Sequence, residues 1–422
     1  MDNRILDEME ACFGQELALA GENLGCLEKA VTNLMTRLGQ GLLQRMVSRQ
    51  PNGYKGSFIT CKCGSSMRFV SYRYRQVHTV YGWIGIKRAY YHCPRCGNSF
   101  LPYDRDSGLG TKSLSPGLAR ACCVLAVDDS FKQAARKIEE LLGQKVSDKT
   151  LERVVHQVGS AVIRQQDARR DDFVGNRLIP DSHFRAQRLY VCADGTTVHE
   201  KDGWHEAQVG TVYWENQRFE RQKRYIGRFD DSAAFGIYLW LEACRCGYRE
   251  TDEVVYIGDG SAWIRTIHNV RFRKAVFIVD WFHASEHVWD CGKVLFGEGT
   301  METEKWVRKS LNLLWEGYTR KFLKFLEKQR SKYRGRKSDA TKALHHYISV
   351  NEEQMRYDVF RAEGYDIGSG AVEAACKNVV GKRLKQSGMI WTRGGSSATL
   401  ALRTAWLNME WEDLWSRKPL AA

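Results

Sequence analysis

Tyr190-Val191-Cys192-Ala193-Asp194-Gly195-Thr196 is an apolar, partly β-branched run that meets one carboxylate and then a glycine. Val254-Val255-Tyr256-Ile257-Gly258-Asp259-Gly260 repeats the pattern. Each reads as a buried strand ended or interrupted by an aspartate. Outward from these, residues 188–199, 207–214 and 221–229 alternate as three successive strands of a meander, and 232–246 has helical spacing. A short strand at 253–257 leads to Asp259 and a helix through about 268. A second apolar strand at 274–279 leads to Asp280 and a helix from 284 onward.

The order β-β-β-α-β-α-β-α is that of a ribonuclease H-like fold. In that order the first strand carries one metal-binding aspartate, the fourth a second, and a later helix a third carboxylate. Asp194, Asp259 and Glu373 fall in those three places; Glu373 follows the turn Gly368-Ser369-Gly370 and opens a helical stretch. Hard oxygen ligands on rigid elements suit a pair of Mg²⁺ or Mn²⁺ ions, the chemistry of phosphodiester cleavage. Between Asp259 and Glu373 the chain is too long for the bare fold. The surplus reads as an all-helical insertion over 291–359, with Trp306, Leu311, Leu314, Trp315, Tyr318, Phe322, Phe325 and Leu326 at three- and four-residue spacing. Within it, residues 320–337 hold nine Lys and Arg against the single Glu327, a run suited to a phosphate backbone.

Ahead of this core, Cys61-Lys62-Cys63-Gly64 and Cys93-Pro94-Arg95-Cys96-Gly97 form two glycine-followed pairs. They predict a zinc-ribbon-like domain over 54–104, with Cys61, Cys63, Cys93 and Cys96 on one Zn²⁺. The first pair is one residue short of the usual spacing; His78 and His92 are spare ligands. The other cysteines read as small buried hydrophobes. Residues 1–53 read as an N-terminal helical region. Over 115–160, a helix stopping at Gly143 and another capped by Ser147 predict a helix-turn-helix-like region offering Lys149 and Arg153 to DNA. The core itself then covers 185–290 and 360–415, making a multidomain α/β protein.

The 422 residues carry a net charge of +14, which points to a polyanionic partner such as nucleic acid. No apolar run is long enough to span a bilayer and no secretory signal pattern is present, so a cytoplasmic, nucleoid-associated protein is expected.

Taken together, Asp194-Gly195-Thr196, Gly258-Asp259-Gly260-Ser261-Ala262-Trp263-Ile264, Val279-Asp280-Trp281-Phe282-His283-Ala284 and Gly368-Ser369-Gly370-Ala371-Val372-Glu373-Ala374-Ala375-Cys376-Lys377 resemble the DDE transposases of bacterial insertion sequences. The likeness is to the branch related to eukaryotic Mutator elements, and within it to the ISKra group. The tail Arg383-Leu384-Lys385-Gln386-Ser387-Gly388-Met389-Ile390-Trp391 extends the likeness, which spans about 55–415. The resemblance implies a metal-binding triad of Asp194, Asp259 and Glu373, an Asp-x-x-His element at Asp280 and His283, cleavage of double-stranded DNA at element ends, strand transfer into target DNA, and a homo-oligomer on DNA. For Asp280 the local alternative is a helix cap, with His283 bonded in the core. Lys377, Lys382, Arg383 and Lys385 form a basic shoulder beside Glu373, suited to phosphate. The competing functions are a ribonuclease H-like nuclease without strand transfer and a domesticated, non-catalytic DNA-binding regulator.

Overall fold

The structure is a computed structural model, described for residue 14 and residues 23–109, 113–182, 185–216 and 218–416. About 55% of the chain is helix and 20% strand, a mixed α/β protein. It divides into two compact units, residues 1–155 with 412–422, and residues 156–411. Of the helical region expected over 1–53, residues 1–13 and 15–22 lie outside the described residues.

In the first unit, helix α1 (Leu24–Arg49) starts where the Asn23 side chain accepts the Gly25 amide. Strands β1 (Phe58–Thr60), β2 (Ser66–Thr79), β3 (Gly82–His92) and β4 (Ser99–Phe100) form an antiparallel sheet in that order. Two small cores lie on it. One joins Val77, Ile84, Ile86, Tyr103 and Leu109 to Leu43 and Val47 of α1; the other joins Met67, Ala89 and Tyr91 to Cys61 and Cys93. Helices α2 (Pro102–Asp106), α3 (Pro116–Ala126) and α4 (Phe131–Leu142) follow. Ser130 caps α4 through the Gln133 amide, and Gly143 ends it at φ 63°, a left-handed position that glycine takes without strain. Ser147 accepts the Thr150 amide at the start of α5 (Asp148–Asn176).

The second unit is built on a five-stranded sheet: β5 (Arg188–Glu200), β6 (Gly203–Glu215), β7 (Arg221–Arg228), β8 (Glu253–Gly258) and β9 (Val276–Val279), in the order β7-β6-β5-β8-β9. The meander β5–β6–β7 is antiparallel, whereas β8 and β9 run parallel to β5. Parallel neighbours need crossovers; α6 (Ser232–Arg245) and α7 (Ala262–Arg271) supply them. Leu189, Val191, Val255 and Ile257 are wholly buried, which pins the register of the central strands.

Three helices of similar length follow α8 (Trp281–Phe296): α9 (Met301–Trp315), α10 (Thr319–Lys332) and α11 (Arg336–Val350). Leu314, Phe322 and Leu326 are wholly buried and Trp306 nearly so, while Tyr318 is exposed. After a 3₁₀ turn at Glu352–Met355 and α12 (Tyr357–Ala362), the chain enters α13 (Gly370–Ala375). A π turn, Cys376–Gly381, leads to α14 (Lys382–Leu384); α15 (Arg393–Leu407) and α16 (Trp411–Ser416) end the described chain. Helix α15 crosses α5 closely enough that a Cβ on Gly159 would sit 2.0 Å from the Ala398 carbonyl oxygen, so only glycine fits there. No described helix is long and apolar enough to cross a membrane.

Candidate metal centres

The sheet sets three aspartates side by side. Cys192 of β5 faces Ile257 of β8, so Asp194 and Asp259 each lie two residues beyond a paired position on adjacent parallel strands. Gly258 faces Val279 of β9, and Asp280 donates its amide to the Gly258 carbonyl at 2.8 Å. All three carboxylates therefore leave the same end of the sheet. The pairing of β5 with β8 stops at Cys192, so one edge of β5 is open beside Asp194.

Asp280 is wholly buried and bonds in two directions. One oxygen caps α8, taking the His283 amide at 2.7 Å and lying 3.2 Å from its Nδ1; the other takes the Ser369 amide. The capping expectation for Asp280 thus describes its contacts, with the helix opening at Trp281 rather than near 284. The Ser369 hydroxyl lies 3.1 Å from Glu373 Oε1 and donates to it. One turn therefore fastens the glutamate helix to the strand end, and the ligand atoms of Asp280, His283 and Glu373 lie within 4.8 Å of one another. Asp194 and Asp259 join no such cluster of three among the described residues.

Electrostatics ties the two groups together. Burial pushes the Asp194 carboxyl above its ordinary range; the Gly195 amide and Cys376 thiol oppose this, and the neighbouring Asp259 charge adds to it. Burial works against ionising Asp280 too, but hydrogen bonds from His283 and Ser369 outweigh it and hold the carboxyl low. Its bond to Asp280 raises His283 to about 9, with Asp194 and Asp259 adding to the rise. The site is thus a cluster of hard oxygens with one imidazolium at neutral pH. That donor set suits a hard divalent cation, which would relieve the repulsion between Asp194 and Asp259.

The four cysteines form the second centre. All four sulfurs lie within 4.8 Å of one another, with Cys61 and Cys96 3.5 Å apart and Cys63 and Cys93 3.8 Å apart. A tetrahedral site with metal–sulfur arms of ~2.3 Å has edges of ~3.8 Å, so the set fits a thiophilic cation. Both loops turn on a left-handed glycine, Gly64 at φ 82° and Gly97 at φ 73°. The short first pair therefore still makes its turn, through Gly64 N to Cys61 O at 3.0 Å. The Ser65 amide is the largest influence lowering Cys63 to about 6. At Cys96 the Asn98 amide also lowers the thiol, but Cys61, Cys63 and Cys93 together push it up to about 12. Four thiolates this close cannot coexist without a cation. The spare ligand His78 is spoken for: it is buried, bonded to Gln144 Oε1 at 2.9 Å and stacked on Trp83.

The model of the uncharacterised protein family UPF0236 matches residues 21–413. The chain belongs to UPF0236. A relative called UPF0236 protein in vanSb 3′ region, from Streptococcus gallolyticus, is 24% identical over 361 residues, which cover 79% of this chain and 73% of the relative. The UPF0236 match takes in both candidate metal centres described above.

The expected DNA-contacting residues divide. Lys149, Arg153, Lys377, Lys382 and Lys385 are exposed, and Lys385 Nζ donates to Thr196 Oγ1 at 2.6 Å, two residues from Asp194. Arg383 is a correction. It is wholly buried, with its guanidinium 5.0 Å from the Trp391 ring, and no phosphate can reach it. The π turn adds a residue to the helical turn and shifts the register by about 100°, which turns Arg383 inward. Trp391 is likewise core, its indole N–H bonded to the Leu384 carbonyl.

Three contributors were not foreseen. Ser369 read only as a turn residue. Cys376 read as an inert apolar residue, but its sulfur is 3.4 Å from Asp194 Oδ2. Tyr347, from the helical insertion, donates to the Asp259 carbonyl at 2.9 Å and packs its ring 4.0 Å from His287. Nothing in local spacing links residues this far apart.

Proposed function

We propose that this chain is a DDE-type DNA transposase of the ISKra-like kind, with a ribonuclease H-like catalytic core, a helical insertion, a zinc-ribbon-like domain and a helix-turn-helix-like region. The observation that carries the reading is the placement of Asp194 and Asp259 two residues beyond a paired position of neighbouring parallel strands, with Glu373 fastened through Ser369 to Asp280 at the end of the next strand. The sheet order, with its meander followed by two parallel strands, supports the same reading.

In this reading Asp194, Asp259 and Glu373 hold two Mg²⁺ or Mn²⁺ ions, and Cys61, Cys63, Cys93 and Cys96 hold Zn²⁺. Bound divalent ions would supply an activated water or 3′-hydroxyl and charge stabilisation for the departing 3′-oxygen. The protein's own groups do the rest. Buried Asp280 keeps His283 protonated, which sets a fixed positive charge facing the phosphate. Pairing with Val209 fixes Asp194 within β5, and the end of β8 fixes Asp259, so little reorganisation accompanies reaction. Lys377, Lys382 and Lys385 supply backbone charge beside the carboxylates, and the exposed cations of 320–337 extend it. Lys149 and Arg153 contact duplex DNA. Joining two element ends calls for a homo-oligomer on DNA.

The test is Mg²⁺-dependent cleavage and joining of DNA carrying the flanking element ends. Asp194→Asn and Glu373→Gln should bind DNA as the wild type does while cleavage falls by roughly 10³-fold or more. Cleavage without joining would reduce the protein to a nuclease. Unchanged rates in both variants would make the carboxylates structural and leave a DNA-binding regulator.

A further inference from the structure

Residues 29–103 contain twelve Lys and Arg and no Asp or Glu, a net +12 against +14 for the whole chain. The 28 residues before this stretch carry a net −6 and the 319 after it a net +8, so positive charge is densest on α1 and the cysteine-bearing sheet. The carboxylates just beyond this stretch take some of it: Asp104 pairs with Arg75 and Arg88, and Asp106 with Lys55. Among the described residues Arg68, Arg73 and Lys87 are in no ion pair.

The geometry around these three is unusual for a sheet. β1 pairs with β2 as far as Arg68 and the Phe69 amide still bonds to Ser57, so the outer edge of β2 is open from Val70 until His78 bridges to Leu114. Five successive residues, Val70 to Tyr74, are exposed, which means that both faces of the strand meet solvent there. Tyr74 lies opposite Lys87 and Arg73 opposite Arg88, so Arg73 and Lys87 point to opposite faces. Each cation rests on a ring: Arg73 sits 3.5 Å above Tyr90 and Lys87 4.4 Å above Tyr72. The rings hold the charges in place without neutralising them.

An open edge can be protected from aggregation by charge of either sign. A stretch of this length without one acid calls for a polyanion as well. Cations on both faces do not match a flat anionic bilayer, which meets one side only. They match a groove with phosphates on both walls, and the major groove of B-DNA admits a two-stranded ribbon. We propose that the β2–β3 ribbon, through Arg68, Arg73 and Lys87, binds the phosphate backbone of duplex DNA without sequence preference. The inference shares the DNA partner of the reading above but needs none of its carboxylates.

The test is anisotropy of a labelled random-sequence duplex over a salt series, using the full chain. The triple variant Arg68→Gln, Arg73→Gln, Lys87→Gln should flatten the slope of log affinity against log salt by roughly 3, and weaken binding at low salt by roughly tenfold or more. The single variant Lys87→Gln should flatten it by about 1, which keeps the test valid if the triple variant unfolds. A control with Arg218→Gln, Lys293→Gln and Lys305→Gln removes the same charge elsewhere and should keep most of the slope. A wild-type slope in both ribbon variants overturns the inference. So does an equal loss in the control, or binding of the wild type to phosphatidylserine vesicles but not to duplex. Asp194→Asn separates the two readings. If it cuts normally while the ribbon variants lose binding, the catalytic reading falls and the ribbon stands. If it is dead while the ribbon variants bind normally, the ribbon falls alone.

Discussion

The sulfur centre and the oxygen centre are built by opposite strategies. Cys61, Cys63, Cys93 and Cys96 come from two tight turns of one small sheet, and their sulfurs are left facing one another with only backbone amides to share their charge. The carboxylates come from strands and helices up to 373 − 194 = 179 residues apart. Protein donors already serve them: Gly195 N for Asp194, Ser261 N for Asp259, Ser369 and His283 for Asp280, and the Ser369 hydroxyl for Glu373. A set of thiols with no other cation depends on its metal to exist as a structure, as small metal-clipped domains do. A carboxylate cluster with its own donors needs no metal to fold, so in the proposed reading an ion bound there is free to serve chemistry.

The sharpest way to break this contrast is to withdraw the metals. Cys93→Ser, or a zinc chelator, should remove one bound ion per chain and expose the amides of β2 and β3 to rapid hydrogen exchange. Withholding Mg²⁺ should lower the melting of the second unit only slightly, by the mass-action contribution of an ion bound to an already folded site. Equal stability of the sheet with and without its metal would show that the four thiols are incidental. Next in size is Asp280→Ala. It strips the cap from α8 and leaves the buried Ser369 amide without its acceptor, a loss of about 2–4 kcal/mol by denaturant unfolding. A loss below about 1 kcal/mol would mean that the fastening of the glutamate helix is slack.

A smaller effect follows from the Asp280–His283 pair. His283 titrates near 9 when folded, above its unfolded value of ~6.5. Its contribution is therefore fully present below pH ~6.5 and is lost as the pH rises through about 9. Asp280, held low, contributes above its unfolded value of ~3.9 and loses that contribution only as the pH falls through its folded one. The pair is strongest between these limits. Without added divalent metal, the stability gap between wild type and His283→Gln should shrink by on the order of 1–2 kcal/mol between pH 6 and pH 10, after allowance for partial exposure of the ring. A gap that widens over that range would reverse the assigned charge.

The same contrast governs what could be read from the sequence. The cysteine pairs were legible because both turns are local and each carries its glycine. Asp194 and Asp259 were legible because a lone carboxylate stands out in or just past a buried apolar run, and the five strands lie where alternation put them. The β5–β6 hairpin is longer than expected, since its two-residue turn at Lys201 and Asp202 is polar. A cross-strand stack of His199 on Trp204 extends the pairing into residues that look like loop. Ser369, Cys376 and Tyr347 were not legible, because each acts across the fold. Arg383 was misread because spacing assumes one helical period, and the π turn breaks that period just before it.

Tyr347 offers the finest test of how the oxygen centre is assembled. Its hydroxyl ties α11 to the Asp259 carbonyl, while Tyr357 ties the following segment to the Val279 carbonyl at 3.0 Å. Both aspartate-bearing strand ends are thus held from the insertion side. The loop after Asp259 is tight as well: Gly260 has φ 81°, and a Cβ there would stand 2.9 Å from Asn351 Oδ1, which itself accepts from Arg265. Tyr347→Phe keeps the ring on His287 and deletes one bond, so stability should fall by only about 1 kcal/mol. If the bond aims Asp259, cleavage should fall roughly three- to tenfold and the Mg²⁺ dependence should shift to higher concentration, with DNA binding unchanged. A change in stability with no shift in metal dependence would make the insertion a brace for the fold and leave the aim of Asp259 to its strand.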